Sequence, residues 1–481
     1  MSIPSFKLHV TWRGIIRVMA YVLAFLLVPL LVGSVVLSTR MSSSARPADR
    51  TSYTGQLPAP TYDPTKRIAV VVSSAYGAEI NDSLPAFEIL ARSGAFNVYI
   101  VAPKRTVLPF VDSRLEATRL DFVPHFSYAE YAKTIGKTPD LIAIPYFPGY
   151  TPTRDAAVLD WIRAHTGPQT TLLGICAGTE TLADTGLLAG HKATTNLQWF
   201  ARLVPRFPNV HWIRNVRYVD DGAVITSTSL AAGIDATFHT VARLVSRSVA
   251  LDVARQVGYK YTDYLDNPSF QYPSLSTSLP PLLVNGAFEW HQENLGVLLY
   301  NGVSEFALAG LLDPYGSSLA ATADVIAPTR APIRSRDGLI FIPRQDFHTV
   351  SAVDRVVLPA GDVTDSRQQT IAAWQRLRPD RPVEYIHRNV GRGESAYDAT
   401  LQDLAQSRNA LVAVGVAHIL FYPVEQLQFT NARLPIEPIA TPLMLGLLGV
   451  GLVVAFDRVS KRRRTQALSR TQVRSDALSR S

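Results

Sequence analysis

The chain has 481 residues, 47% apolar and 18% charged, a balance that excludes a disordered protein and leaves room for two or three compact domains. Its net charge is +8, but residues 457–481 hold eight Lys or Arg and two Asp, so six of those charges sit in one tail and a nucleic-acid-binding role is not expected. A single cysteine excludes an internal disulfide.

Two segments raise the mean hydropathy to +0.09. Residues 18–37 are twenty uncharged, mostly apolar residues, and 439–456 are eighteen more, each about long enough to cross a hydrocarbon core. No small-x-small cleavage site precedes Arg40, so the first reads as an uncleaved anchor and not a signal peptide. Lys7, Arg13 and Arg17 flank the first run, and Lys461 to Arg464 follow the second. By the positive-inside rule both termini are cytoplasmic and the globular part is extracytoplasmic, in a two-pass protein of the cell membrane. The expected layout is a cytoplasmic segment 1–14, a span 15–38, a Ser/Pro/Thr-rich stalk 39–65, a second span 436–456 and a basic cytoplasmic tail 457–481. Neither apolar run, 18–37 or 439–456, carries a charge, which argues against a transporter.

The stretch 66–262 alternates strand and helix. Residues 68–72 (IAVVV), 97–103 (NVYIVAP) and 140–145 (DLIAIP) read as buried strands, with helices over about 82–93 and 156–165. Residues 170–175 form another strand, and the hydrophobic period then changes to that of a helix, with Cys176 on the turn. This order implies an α/β fold, a doubly wound parallel sheet whose ligands gather at the carboxyl ends of the strands. Loops 76–82, 145–149 and 194–198 should converge there on Cys176. A strand-to-helix elbow lifts a nucleophile out of the sheet and turns backbone amides toward it.

The runs Gly174-Ile-Cys-Ala-Gly178, ADTGLLAGHKATT (183–195), RFPNV (206–210), RYVDDGAVITS (217–227) and AAGID (231–235) resemble the DJ-1/PfpI superfamily. The version they resemble is the amidase-like half of AraC-type regulators, and the resemblance covers about 67–248. It implies the flavodoxin-like DJ-1/PfpI fold, with Cys176 as nucleophile and a carboxylic acid after the first strand to tune it. Counting from Gly77 puts Asp82 at that acid position, while counting from Pro85 puts Asn81 there; Asp82 is equally a candidate helix N-cap. The amides of Ala177 and Tyr146 would serve an oxyanion. Tyr146 and Phe147 replace the paired glycines of the family's oxyanion loop and would narrow the pocket. Asn196 follows Ala-Thr-Thr where hydrolytic members carry histidine, so no Cys-His dyad is written there. His191, five residues earlier, reads as an exposed turn residue, and His211, His239 and His291 lack metal-ligand spacing. No metal or cofactor is expected.

Residues 263–293 read as a linker, and 294–432 as a degenerate second copy of the same fold. Asn301 to Gly310 resembles the first strand-loop-helix, Asp354 to Pro359 corresponds to Asp140 to Pro145, and Trp374 to Trp161. The acid position falls on Ala307 and the cysteine position on Asn389, beside His387. A final strand is expected within 411–422. No segment of helix-turn-helix size follows the second span, so the DNA-binding half of the regulators is not expected. Two readings of function follow. In one, the pocket around Cys176 senses or binds a small-molecule ligand or partner protein, as a pseudoenzyme or a weak catalyst, with a homo-oligomer allowed. In the other, Cys176 and Asp82 serve a hydrolase or hydratase acting on a small carbonyl, amide or isocyanide-like compound.

Overall fold

The computed structural model describes residues 12–44, 53, 55, 57–113, 117–350 and 352–478. Most of the expected cytoplasmic segment 1–14, much of the stalk 39–65 and the last three residues of the tail lie outside the described residues. Contacts divide the chain into one unit of Met1–Ser42, Leu283–Trp290 and Pro435–Ser481 and another of Ser43–Leu282 and His291–Leu434.

The first unit contains two long helices, Trp12–Ser44 and Ile436–Leu478. Their stretches Gly14–Arg40 and Ile436–Ala467 are long and apolar enough to cross a membrane. The helices touch at glycines: a Cβ on Gly446 would meet the Phe25 ring at 2.6 Å, and one on Gly449 would meet the Ala24 carbonyl at 2.7 Å. Arg40 donates to the carbonyls of Gly286 and Glu289 at 2.7 and 2.8 Å. The second helix continues through the basic tail to Leu478, since Lys, Arg, Gln, Ala and Leu all favour helix.

In the second unit, the first half is built on a seven-stranded sheet. Its spatial order is Tyr218–Asp220, Val224–Ser227, Thr171–Gly174, Leu141–Ile144, Arg67–Val72, Phe96–Ala102 and Phe126–Ser127, parallel except at Tyr218–Asp220. The central strands are apolar on both faces, as a sheet covered by helices on both sides requires. The second half holds a five-stranded parallel sheet: Gln345–Asp346, Ala321–Ala327, Glu293–Leu298, Arg355–Val357 and Val383–Glu384.

The repeat is visible at single hydrogen bonds. Asp140 accepts from the Ile68 amide at 2.8 Å, and Asp354 accepts from the Asn294 amide at 2.8 Å. Gly77 and Gly302 both hold positive φ before helices Ile80–Arg92 and Glu305–Ser317. These two helices pack on each other, and strand Ala117–Val123 pairs antiparallel with Ile340–Pro343, so the halves share a core and a sheet.

One expectation is corrected. Residues 410–420 form a helix, Ala410–Leu420, capped by Asn409 onto the Val412 amide, where a closing strand was expected. Its run of apolar residues has no polar face, so period alone does not separate strand from helix. The segment 263–293 contains helix Leu275–Phe288, in spite of Pro280 and Pro281.

Candidate functional site

Strand Thr171–Gly174 lies between two parallel neighbours, and its pairing carries on through the Ile175 amide to the Ile144 carbonyl at 3.0 Å. The chain then turns sharply. Cys176 has φ 54°, a left-handed conformation that costs a non-glycine residue about 1–2 kcal/mol. The surroundings hold it there: its amide donates to Ser227 Oγ at 3.1 Å, and its carbonyl accepts from Thr195 Oγ1 at 3.3 Å. Gly178 is required just beyond, because a Cβ would strike the Ile144 carbonyl and Pro145.

The elbow directs Cys176 Sγ into a cavity of about 300 Å³. Asn196 Nδ2 donates to the sulfur at 3.4 Å, while Asn196 Oδ1 accepts from the Gln198 amide at 3.0 Å, which fixes the orientation of the side-chain amide. The Ala177 amide also faces the thiol. Glu79 lines the cavity and Asp82 lies close behind. Glu79 caps helix Ile80–Arg92 by accepting from the Asp82 amide at 2.6 Å, and Asp82 Oδ2 accepts from the Tyr146 amide at 2.9 Å. Glu79 Oε1 and Asp82 Oδ1 are buried and have no hydrogen-bond partner among the described residues.

Burial first, and the negative charge of Asp82 and Asp313 next, push the Glu79 carboxyl well above the usual carboxylate range. Burial likewise raises Asp82, against the Tyr146 amide, which favours its anion. Burial thus favours the protonated form of each carboxyl. Burial and then Asp82 raise the Cys176 thiol well above its ordinary value, against the Asn196 bond, so the resting sulfur is a neutral thiol.

The expected site residues separate into three groups. Cys176, Ala177, Asn196 and the Tyr146 side chain line the cavity, with Asp82 adjacent to the thiol. Asp82 is not the helix cap; Glu79 is. Three details are corrected. The Tyr146 amide is taken up by Asp82, so it is not an oxyanion donor. Phe147 is fully buried in the core cluster around Ile142, Ile144 and Trp161 and does not reach the cavity, because neighbouring residues of an extended loop point to opposite sides. Asn81 turns toward the second half, bonded to Asp313 and to the Tyr397 hydroxyl.

Glu79 carries no distinguishing signal in the sequence, since glutamate is a rare N-cap and nothing else marks it. Trp199 also lines the cavity; its indole donates to Glu180 at 3.0 Å, and Tyr146 meets it edge-on at 6.0 Å. His191 is half-buried, not exposed, and pairs with Asp221 at 3.0 Å. His387 is buried: it accepts from the Ala360 amide at 3.2 Å and meets Thr400 Oγ1 at 3.0 Å, and burial lowers it to about 4. Both ring nitrogens are engaged within the second half.

Glu88, Glu305 and Asp337 bring three carboxylates within 4.8 Å, the one such group among the described residues. Arg92 binds Glu88 at 2.7 Å and Arg336 approaches it at 3.5 Å, so guanidinium groups already supply the positive charge there.

Residues 66–243 match the DJ-1/PfpI family. This segment is a DJ-1/PfpI domain. The isonitrile hydratase of Pseudomonas putida is 30% identical to the chain over 132 residues, which are 27% of this chain and 56% of the relative. The chain thus spans about half the length of that curated relative. Among solved structures, Drosophila melanogaster DJ-1beta aligns over all of its own length and 41% of this chain, at 20% identity and a TM-score of 0.34. An AraC family transcriptional regulator from Pseudomonas putida aligns over 97% of its length and 39% of this chain, at 17% identity and a TM-score of 0.31. The cavity around Cys176 lies at the elbow of the DJ-1/PfpI domain and takes part of its wall from the chain beyond that domain, at Leu279, Ile419 and Phe421.

Proposed function

We propose that this cavity takes a small molecule with an electrophilic carbon and that Cys176 adds to it, as in the hydration of an isocyanide to a formamide. The observation that carries the reading is the thiol held by Asn196 at a left-handed elbow, beside a buried carboxyl pair that burial pushes above the usual carboxylate range. The 30% identical isonitrile hydratase supports the substrate class. In the step proposed, sulfur bonds to the terminal carbon of R–NC and the thiol proton ends on that carbon, relayed by the Glu79–Asp82 pair, to give a thioimidate. Water then adds to the same carbon while nitrogen takes a proton. The C–S bond breaks, sulfur regains its proton, and R–NH–CHO leaves, with one water consumed. No amine has to be expelled, so asparagine in place of histidine is no obstacle.

The test is formamide production by the full chain in detergent. Cys176→Ala should abolish turnover, by at least about a thousandfold, and Glu79→Gln should lower it about a hundredfold. Equal turnover in Cys176→Ala removes the reading. A second reading, a pocket that binds without turning over, is favoured by one observation: Asp82 occupies the Tyr146 amide, so that donor is lost to an oxyanion. It predicts ligand binding that survives Cys176→Ala with no product formed by the unsubstituted protein.

We further propose that the chain is anchored by spans within 15–38 and 436–456, with both termini cytoplasmic and two copies of one fold, 66–262 and 294–432, outside. The basic flanks of both apolar helices support this orientation. A cysteine placed at Gln466 in Cys176→Ala should resist an impermeant thiol reagent in intact cells and react after lysis. Reaction in intact cells reverses the orientation.

A further inference from the structure

The cavity wall is drawn from different parts of the chain. Cys176, Asn196 and Glu79 give it polar groups, all from the first half. Leu279, from helix Leu275–Phe288, and Ile419 and Phe421, from the end of helix Ala410–Leu420, line it from outside the DJ-1/PfpI domain.

Phe421 is held in a way its counterpart is not. Helices Arg247–Val257 and Ala410–Leu420 each end on a left-handed residue followed by tyrosine: Gly258 with φ 73° before Tyr259, and Phe421 with φ 53° before Tyr422. Glycine takes that conformation at no steric cost, whereas phenylalanine does not. The second half nevertheless has the aromatic residue at this position, and its neighbours over-determine it. The Phe421 carbonyl accepts from Arg217 Nη1 at 3.0 Å, and its ring meets Tyr272 at 5.7 Å and Phe270 at 6.0 Å. A non-glycine residue kept in a disfavoured conformation at a cavity wall points to a use for its side chain.

We propose that Leu279, Ile419 and Phe421 form a subsite for the apolar body of the substrate, so that the half of the chain without a nucleophile sets specificity for an alkyl or aryl chain on the group that meets Cys176. This deepens the reading of the Cys176 cavity as a ligand site and rests on it. The reacting head meets Cys176, and the three apolar side chains exclude water from the tail.

The test uses Cys176 as its own reporter, since the chain has one cysteine and alkylation shifts its mass at one place only. The full chain is labelled with iodoacetamide in the presence of n-alkyl formamides from ethyl to octyl at equal free concentration. Protection should strengthen about fourfold per methylene over the first members and level off once the cavity is full. Leu279→Asn, at a side chain already 37% exposed, should flatten that series while leaving protection by ethylformamide and the melting temperature unchanged. Phe421→Gly keeps the left-handed cap and the carbonyl that Arg217 needs, and should flatten the series too. Where labelling is too slow to follow, the rise of melting temperature with chain length reads the same series.

Equal protection by every member, no protection by any, or an unchanged series in both variants overturns the proposal. The hydration reading fails separately: a chain-length series with no formamide produced keeps the subsite and removes the chemistry. Turnover that ignores chain length keeps the chemistry and removes the subsite.

Discussion

The two halves of the globular unit keep the same strand roots and differ at the strand ends. Asp140 and Asp354 tie equivalent loops to equivalent strands, and Gly77 and Gly302 turn the chain into equivalent helices. At the carboxyl end of Thr171–Gly174, however, stands the strained elbow of Cys176, while Val383–Glu384 leads to buried His387, satisfied by Ala360 and Thr400. The bonds that hold the sheet have been kept in both, and the reacting groups in one. The crossing carboxylates differ in the same sense. Glu88 reaches from the first half to the start of Glu305–Ser317, accepting from Ser304 Oγ and the Phe306 amide at 2.7 and 2.8 Å, with Arg92 and Arg336 alongside. Asp313 reaches back to Asn81 and the Ser113 amide, among Asp112, Glu79 and Asp82.

The junction of the halves offers the largest effect. Arg217 is fully buried, ion-paired to Asp235 and bonded to the Phe421 carbonyl. Asp235→Ala strands that charge and should cost about 3–5 kcal/mol of stability, read from denaturant unfolding of the full chain. A loss below about 1 kcal/mol would mean that the guanidinium is not buried as described.

The crossing carboxylates sharpen the comparison, because their variants should differ in sign. Burial opposes the Glu88 anion, but Arg92, Arg336 and the Phe306 amide outweigh it and hold Glu88 below its ordinary value. Its contribution is present above the unfolded-state value and is lost as pH falls through the folded one. Glu88→Gln should therefore destabilise by about 2 kcal/mol at pH 7 and converge with the parent in acid. Asp313 is raised to about 7 by burial and then by Asp112. Its folded form holds a proton that the unfolded chain releases near pH 4, so the parent loses stability as pH rises from there to about 7. Asp313→Asn should match the parent near pH 4 and exceed it at pH 8 by up to about 4 kcal/mol. Melting curves across pH check both; parallel profiles for the two variants would erase the distinction.

Asn196 gives the smallest effect. Its bond to Sγ favours the thiolate, so Asn196→Ala should slow alkylation of Cys176 about threefold at fixed pH. An unchanged rate would mean that the bond does not reach the reacting form.

Much of this framework is written in the sequence, for reasons that can be named. The elbow is legible because an apolar strand, a glycine-flanked cysteine and a helical period meet within nine residues, 170–178. The strands and the helix Ala156–His165 follow from continuous apolar runs and period alone. The helix Ala410–Leu420 was hidden by its uniform apolarity, yet the repeat itself carried the signal. Val249-Ala250, Val253-Ala254 and Tyr259 recur at the same spacing as Val412-Ala413, Val416-Ala417 and Tyr422. Glu79 and Phe421 were not legible. One is an atypical cap, and the other reaches the cavity from 245 residues beyond Cys176, a contact that only tertiary packing creates.

The most direct test of the central claim, that Cys176 presents a working thiol to a cavity, is the rate at which iodoacetamide labels it in the native full chain as pH is raised. The account expects native labelling faster than global unfolding, with a rate still climbing above pH 9 because burial and Asp82 keep the sulfur protonated. Labelling that appears only at the rate of unfolding would contradict it.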